Sequence, residues 1–119
     1  MTISASYNTK LMSTYEQLDA WIDAHFDEQV RFLQELIRVP TDTPPGNNAP
    51  HAERAAALLQ DFGMTAKKYP VPEAEVRAAG LQSITNLLVR RNYGPGRTIL
   101  LNAHGDVAVS YTHLTLPTN

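Results

Sequence analysis

Thr98-Ile99-Leu100-Leu101-Asn102-Ala103-His104-Gly105-Asp106-Val107 is the stretch around which the rest of the chain is read. Ile99, Leu100 and Leu101 form a short continuous apolar run, bounded upstream by the turn signal Asn92-Tyr93-Gly94-Pro95-Gly96. A run of this kind is the pattern of a strand covered on both faces, in a parallel or mixed sheet with helices packed on it. The expected fold class is therefore α/β. Open α/β sheets bind their ligands beyond the carboxyl ends of the strands, and that is where His104 and Asp106 fall.

The spacing of that pair bears on its chemistry. In an extended backbone residues i and i+2 point to the same side, so His104 and Asp106 are expected to face one cavity with Gly105 between them. A neutral imidazole is a common zinc ligand through one nitrogen. Its other nitrogen then takes an acceptor, usually a carboxylate, that fixes tautomer and ring orientation. Gly105 keeps the backbone permissive where the strand ends. Spacing alone leaves a second reading open, a strand-end histidine beside a loop aspartate that caps a helix.

Leu100-Leu101-Asn102-Ala103-His104-Gly105-Asp106-Val107 resembles the first metal motif of the two-zinc superfamily that includes aminoacylases, acetylornithine deacetylase, succinyl-diaminopimelate desuccinylase, glutamate carboxypeptidase and several dipeptidases. The upstream segment Val39-Pro40-Thr41, followed by Pro44-Pro45-Gly46, is similar to the entry segment of the deacetylase branch. The resemblance covers roughly residues 15–107. It implies that His104 is a zinc ligand and that Asp106 orients it. It also implies the N-terminal part of a zinc-peptidase-like catalytic domain, two zinc ions per active site (cobalt as a substitute), and a downstream glutamate as general base. The implied substrate is an N-acyl amino acid or a peptide, and the parent enzyme is expected as a homodimer.

The chain departs from that pattern after Val107. Val109-Ser110-Tyr111-Thr112-His113-Leu114-Thr115-Leu116-Pro117-Thr118 resembles the conceptual translation of a transposase sequencing adapter. Residues 108–119 are expected to be a non-native tail, and His113 is given no functional weight. On this reading the chain is a truncated fragment that lacks most of the site and is itself inactive.

Composition bounds the alternatives. The chain has 119 residues, 43% of them hydrophobic, which is one domain's worth at most and enough for a core. A net charge of -2 leaves no electrostatic footprint for nucleic acid or for a membrane surface. The absence of cysteine excludes a disulfide framework and thiolate metal sites. No apolar run approaches a transmembrane length, and the start is not a secretory signal. A cytoplasmic protein is expected. There is no phosphate-binding glycine loop, no Gly-x-Ser-x-Gly elbow and no His-Glu-x-x-His helix.

The expected order of elements is helix-helix-strand-strand-strand in an incomplete sheet. Residues 1–12 are polar and aperiodic and are expected to be disordered, with Met12 an alternative to Met1 as the start. Residues 13–38 read as one helix. Ser13 and Glu16 fit a capping box, and Leu18, Ile22, Phe26, Val30, Leu33 and Ile37 share a face. Trp21 and His25 flank it. Pro40 ends the helix, and residues 39–48 form a rigid connector with no chemistry assigned. Residues 49–62 read as a second helix, with Pro50 in its first turn and Gly63 as its stop. His51 and Glu53 near its start are not on one face, so a metal role for them is rejected. Residues 64–71 read as an edge strand, 72–80 as a short helix or loop, and 83–91 as a second strand closed by Arg90 and Arg91. A substrate-carboxylate clamp is conceivable for that arginine pair, but a solvated strand end is favoured.

Two classes of function follow. One is metal-dependent hydrolysis of an N-acyl or peptide amide bond by the full-length parent, most like the desuccinylase and deacetylase, with dipeptidase or glutamate carboxypeptidase as alternatives within the family. The other is a small non-catalytic α/β binding module in which His104 and Asp106 are merely structural.

Overall fold

The computed structural model describes residues 11–107. Of the expected disorder at 1–12, residues 1–10 lie outside the described residues, as does the expected non-native tail at 108–119; Leu11 and Met12 are exposed and take no regular secondary structure. The chain divides into two units, Met1–Phe32 and Leu33–Asn119. Its elements in order are α1 (Thr14–Ala24), α2 (Phe26–Ile37), α3 (Ala49–Asp61), β1 (Lys67–Pro70), α4 (Glu73–Ala78) and β2 (Thr85–Leu88). The molecule is a small mixed α/β protein. Its described sheet is two-stranded and antiparallel, not the expected parallel or mixed one.

The capping box at the start of α1 is formed as the sequence predicts. Ser13 Oγ accepts from the Glu16 amide at 3.2 Å, and Glu16 Oε2 accepts from the Ser13 amide at 2.7 Å. The single helix expected over 13–38 is broken at His25, which separates α1 from α2. The Trp21 carbonyl already accepts from the His25 amide at 3.1 Å, and His25 Nδ1 approaches the same oxygen at 2.7 Å. The His25 backbone leaves helical geometry there, with φ -111° and ψ 11°, and its amide is shared with the Ile22 carbonyl at 3.1 Å. The His25 ring also stacks on Trp21, with centroids 4.0 Å apart, so the flanking pair expected from their spacing is formed. On α2, Phe26, Val30, Leu33 and Ile37 are exposed, while Phe32 and Leu36 are half-buried.

The second unit is built around α3. Its first turn carries Pro50, and Gly63 with φ 68° follows its end. Asn48 makes no side-chain cap. The Ala49 amide instead donates to Ser83 Oγ at 2.9 Å, so the cap arrives from a distant loop. Ala52 and Leu58 of α3 are buried, as is Val76 of α4, and these three form the apolar core of the described residues. β1 pairs with β2 in the register Lys67 to Leu88 and Pro70 to Thr85, and α3 packs on β2. β1 is exposed along its whole length, as an edge strand bearing Lys67, Lys68 and Pro70 should be. Two ion pairs reach α3 from neighbouring elements, Glu35 to Arg54 at 2.6 Å and Lys68 to Glu53. The hydrogen bond from Arg54 holds the Glu35 carboxyl below its usual range, against an opposing contribution from burial.

The connector at 39–48 docks on the loop before β2. The amides of Gln82 and Ser83 both donate to the Gly46 carbonyl at 3.1 Å, and Asn47 bridges to Ser83. Gly46 has φ 67°, and a Cβ there would overlap Leu81 Cδ2. The Pro-Pro-Gly sequence therefore needs its glycine for both backbone angle and space.

The third strand does not form among the described residues. Residues 98–104 take no regular secondary structure, and Ile99, Leu100 and Leu101 are 82%, 78% and 89% exposed. A buried strand needs ladder partners at its sides and cover on both faces. β1 and β2 pair with each other, and no described strand or helix covers residues 99–101. The apolar pattern is there, but its partners are not.

Candidate functional site

The His104–Asp106 pair is reached by an extended segment that leaves β2 at Leu88. Among the described residues no backbone-to-backbone hydrogen bond involves residues 90–107. His104 Nδ1 lies 2.9 Å from the Asp106 carbonyl and 3.1 Å from Asp106 Oδ1. The residues expected to act together are thus in contact. Both are open to solvent, with His104 81% exposed, so they occupy a surface and not the cavity the sequence suggests. With Nδ1 turned toward two oxygens of Asp106, that nitrogen is the proton donor of the neutral ring. Nε2 is left as the lone-pair nitrogen.

Two residues outside the motif hold it in place. Thr41 Oγ1 accepts from the Val107 amide at 3.0 Å and lies 3.4 Å from the Gly105 carbonyl, to which its hydroxyl donates. Thr41 is 3% exposed and is the buried polar residue of the described chain. His51, near the start of α3, places its ring against Gly105, where a Cβ would lie 2.9 Å from His51 Cε1. Burial pushes the His51 imidazole below its ordinary pKa of 6.5. The connector bearing Thr41 therefore does more than join two elements, and His51 belongs to the motif's surroundings. Thr41 stands directly after Pro40 in the connector to which the sequence assigns no chemistry, and its contact with residues 105–107 is not legible there. Nothing local in the sequence marks His51.

The remaining candidates fall apart. His25 stacks on Trp21 in the helical segment. Arg91 lies over the Tyr93 ring at 5.9 Å, in the exposed segment beyond β2, where no site is formed. His113 lies outside the described residues. A separate cavity of about 230 Å³ beside the connector is lined by Val39, Pro40, Asp42, Pro45, Pro50 and Gln82 among others, with Asp42 its one titratable group.

The fit to zinc is partial. An imidazole with Nε2 open and a carboxylate on Nδ1 matches one ligand and its orienting partner. Among the described residues there is no group of three or more His, Cys, Asp or Glu side chains placed to hold a metal ion. Nor is any described helix long and apolar enough to cross a membrane. No family model matches the chain, and no curated protein or solved structure is significantly similar to it.

Proposed function

We propose that this chain is the N-terminal part of the catalytic domain of a two-zinc amidohydrolase, whose parent cleaves an N-acyl or peptide amide bond next to a carboxylate. One observation carries the reading: the His104 ring is held through Nδ1 by Asp106, with Nε2 left open, at the end of an apolar run. The sequence resemblance at residues 39–46 and 100–107 supports it.

In the parent, His104 would offer Nε2 as a ligand, and Asp106 would keep the proton on Nδ1 and fix the ring plane. Bound zinc would supply a water of lowered pKa and a Lewis acid for the amide carbonyl. Catalytic zinc takes about three protein ligands, so hydrolysis requires residues beyond those described. The acyl group is chosen by those same residues, and the desuccinylase and deacetylase branch is the assignment the Pro-Pro-Gly connector favours.

The test begins with the source DNA read outward across codon 108. The continuous reading frame is then expressed, loaded with zinc or cobalt, and assayed on N-succinyl and N-acetyl amino acids and on dipeptides. Hydrolysis that falls about 10–100-fold on Asp106→Asn supports the proposal. A frame that truly ends with residue 119, or an intact parent that cleaves none of these substrates, sinks it in favour of a non-catalytic module.

A further inference from the structure

We infer that Thr41 is a positioning residue for the His104–Asp106 pair, its hydroxyl holding the backbone of residues 105–107 so that Asp106 faces His104 Nδ1. The inference rests on the reading of Asp106 as the group that orients His104.

Thr41 is anchored well enough to do this. It follows Pro40, whose ring fixes its own φ. The connector around it is pinned to the loop before β2 through Gly46, Asn47 and Ser83. The segment it grips has no such support. The two hydrogen bonds that join residues 97–107 to the rest of the described chain are both made by Thr41, across 64 and 66 residues of sequence.

The geometry gives the hydroxyl a specific effect. Its oxygen accepts from Val107 while its proton goes to the carbonyl of Gly105, so both peptide groups that flank Asp106 are fixed by one atom. The Asp106 carbonyl and carboxylate then converge on the same nitrogen of His104. A valine at position 41 keeps the shape and removes both bonds. A serine keeps both bonds and removes a methyl group.

The experiment uses the full 119-residue chain labelled with ¹⁵N. Long-range proton–nitrogen correlations through the imidazole report which nitrogen of neutral His104 bears the proton, and amide exchange reports on Val107. The expected result is an Nδ1–H ring in the wild type and in Thr41→Ser. In Thr41→Val the ring should become a tautomer mixture, with Val107 exchange faster by about tenfold, the size expected for one ordinary hydrogen bond. Unchanged amide shifts in α3 show that the fold is kept.

An Nδ1–H ring in Thr41→Val, with Val107 still protected, overturns the role of Thr41 and leaves that of Asp106 standing. A wild-type His104 protonated on Nε2 overturns both. Should Thr41→Val fail to fold, the wild-type exchange rate of Val107 decides. Protection by about tenfold supports the clamp, and exchange at the rate of an open chain removes it.

Discussion

A Cβ placed on Gly105 would lie 2.9 Å from His51 Cε1, closer than side-chain carbons approach other atoms, and a tight 3.1 Å from His51 Nδ1. Gly105→Ala is therefore expected to displace His51 and to lower stability by about 1 kcal/mol, the small end of overpacking effects, because His51 is only half-buried. His51→Ala should relieve the clash, so the double variant is more stable than the sum of the two single effects. Urea midpoints of the four proteins measure this. His51 also carries a pH dependence. Burial lowers its folded pKa below the ordinary 6.5, so the unfolded chain binds the proton more readily. Stability then rises with pH across the interval between the two values and is lost as pH falls through it. Melting temperatures from pH 7.5 down to 5 should fall less steeply in His51→Gln than in the wild type. At this scale the sequence is legible where spacing acts over two to four residues. The Ser13–Glu16 box, the Trp21–His25 pair and the His104–Asp106 contact all formed. The roles of Thr41 and His51 depend on partners more than fifty residues away, and no local pattern encodes them.

At the scale of elements, α3 shows why boundaries are legible while their causes are not. Pro50 and Gly63 mark its ends, but the cap is Ser83 Oγ, which accepts from the Ala49 amide at 2.9 Å. Ser83→Ala should lower stability by about 1 kcal/mol, as the loss of a capping oxygen does. Amide exchange should quicken first in the opening turn of α3, and equal protection there in both proteins would contradict this. The break at His25 has a related origin. An apolar residue every fourth position advances roughly 40° around a straight helix at each step. The run Leu18, Ile22, Phe26, Val30 drifts across about 120°, the width of one broad apolar stripe, so periodicity alone does not reveal whether the helix stays continuous. The helix is interrupted at the backbone of His25, with φ -111° and ψ 11° and its amide shared between the Trp21 and Ile22 carbonyls, and no breaker residue announces it.

For the whole molecule, the apolar residues split into a small buried set and a large exposed one. Leu58 is buried and Leu100 is 78% exposed. Leu58→Ala should cost about 2–4 kcal/mol and bring so small a core near the limit of cooperative folding, whereas Leu100→Asp should change stability by less than about 0.5 kcal/mol. Thermal unfolding of both variants provides the comparison, and a large loss in Leu100→Asp would mean that residues 99–101 are covered after all. The apolar run at 99–101 has the pattern of a buried strand because hydrophobic pattern reports what a segment is suited to. Whether neighbours are present to cover it is a property of the assembled chain. The exposed stretch from Arg90 to His104 has a further consequence. It is a leash, and the motif at its end behaves as a ligand bound to its own protein. A leash of this length presents its end at an effective concentration on the order of millimolar, so two hydrogen bonds from Thr41 suffice to keep the motif seated. Trypsin has ready access to Arg90, Arg91 and Arg97, all exposed. A single cut there should convert an intramolecular partner into a free peptide that diffuses away, leaving residues 33–90 folded. Mass spectrometry after brief digestion and filtration would find the His104 peptide in the filtrate.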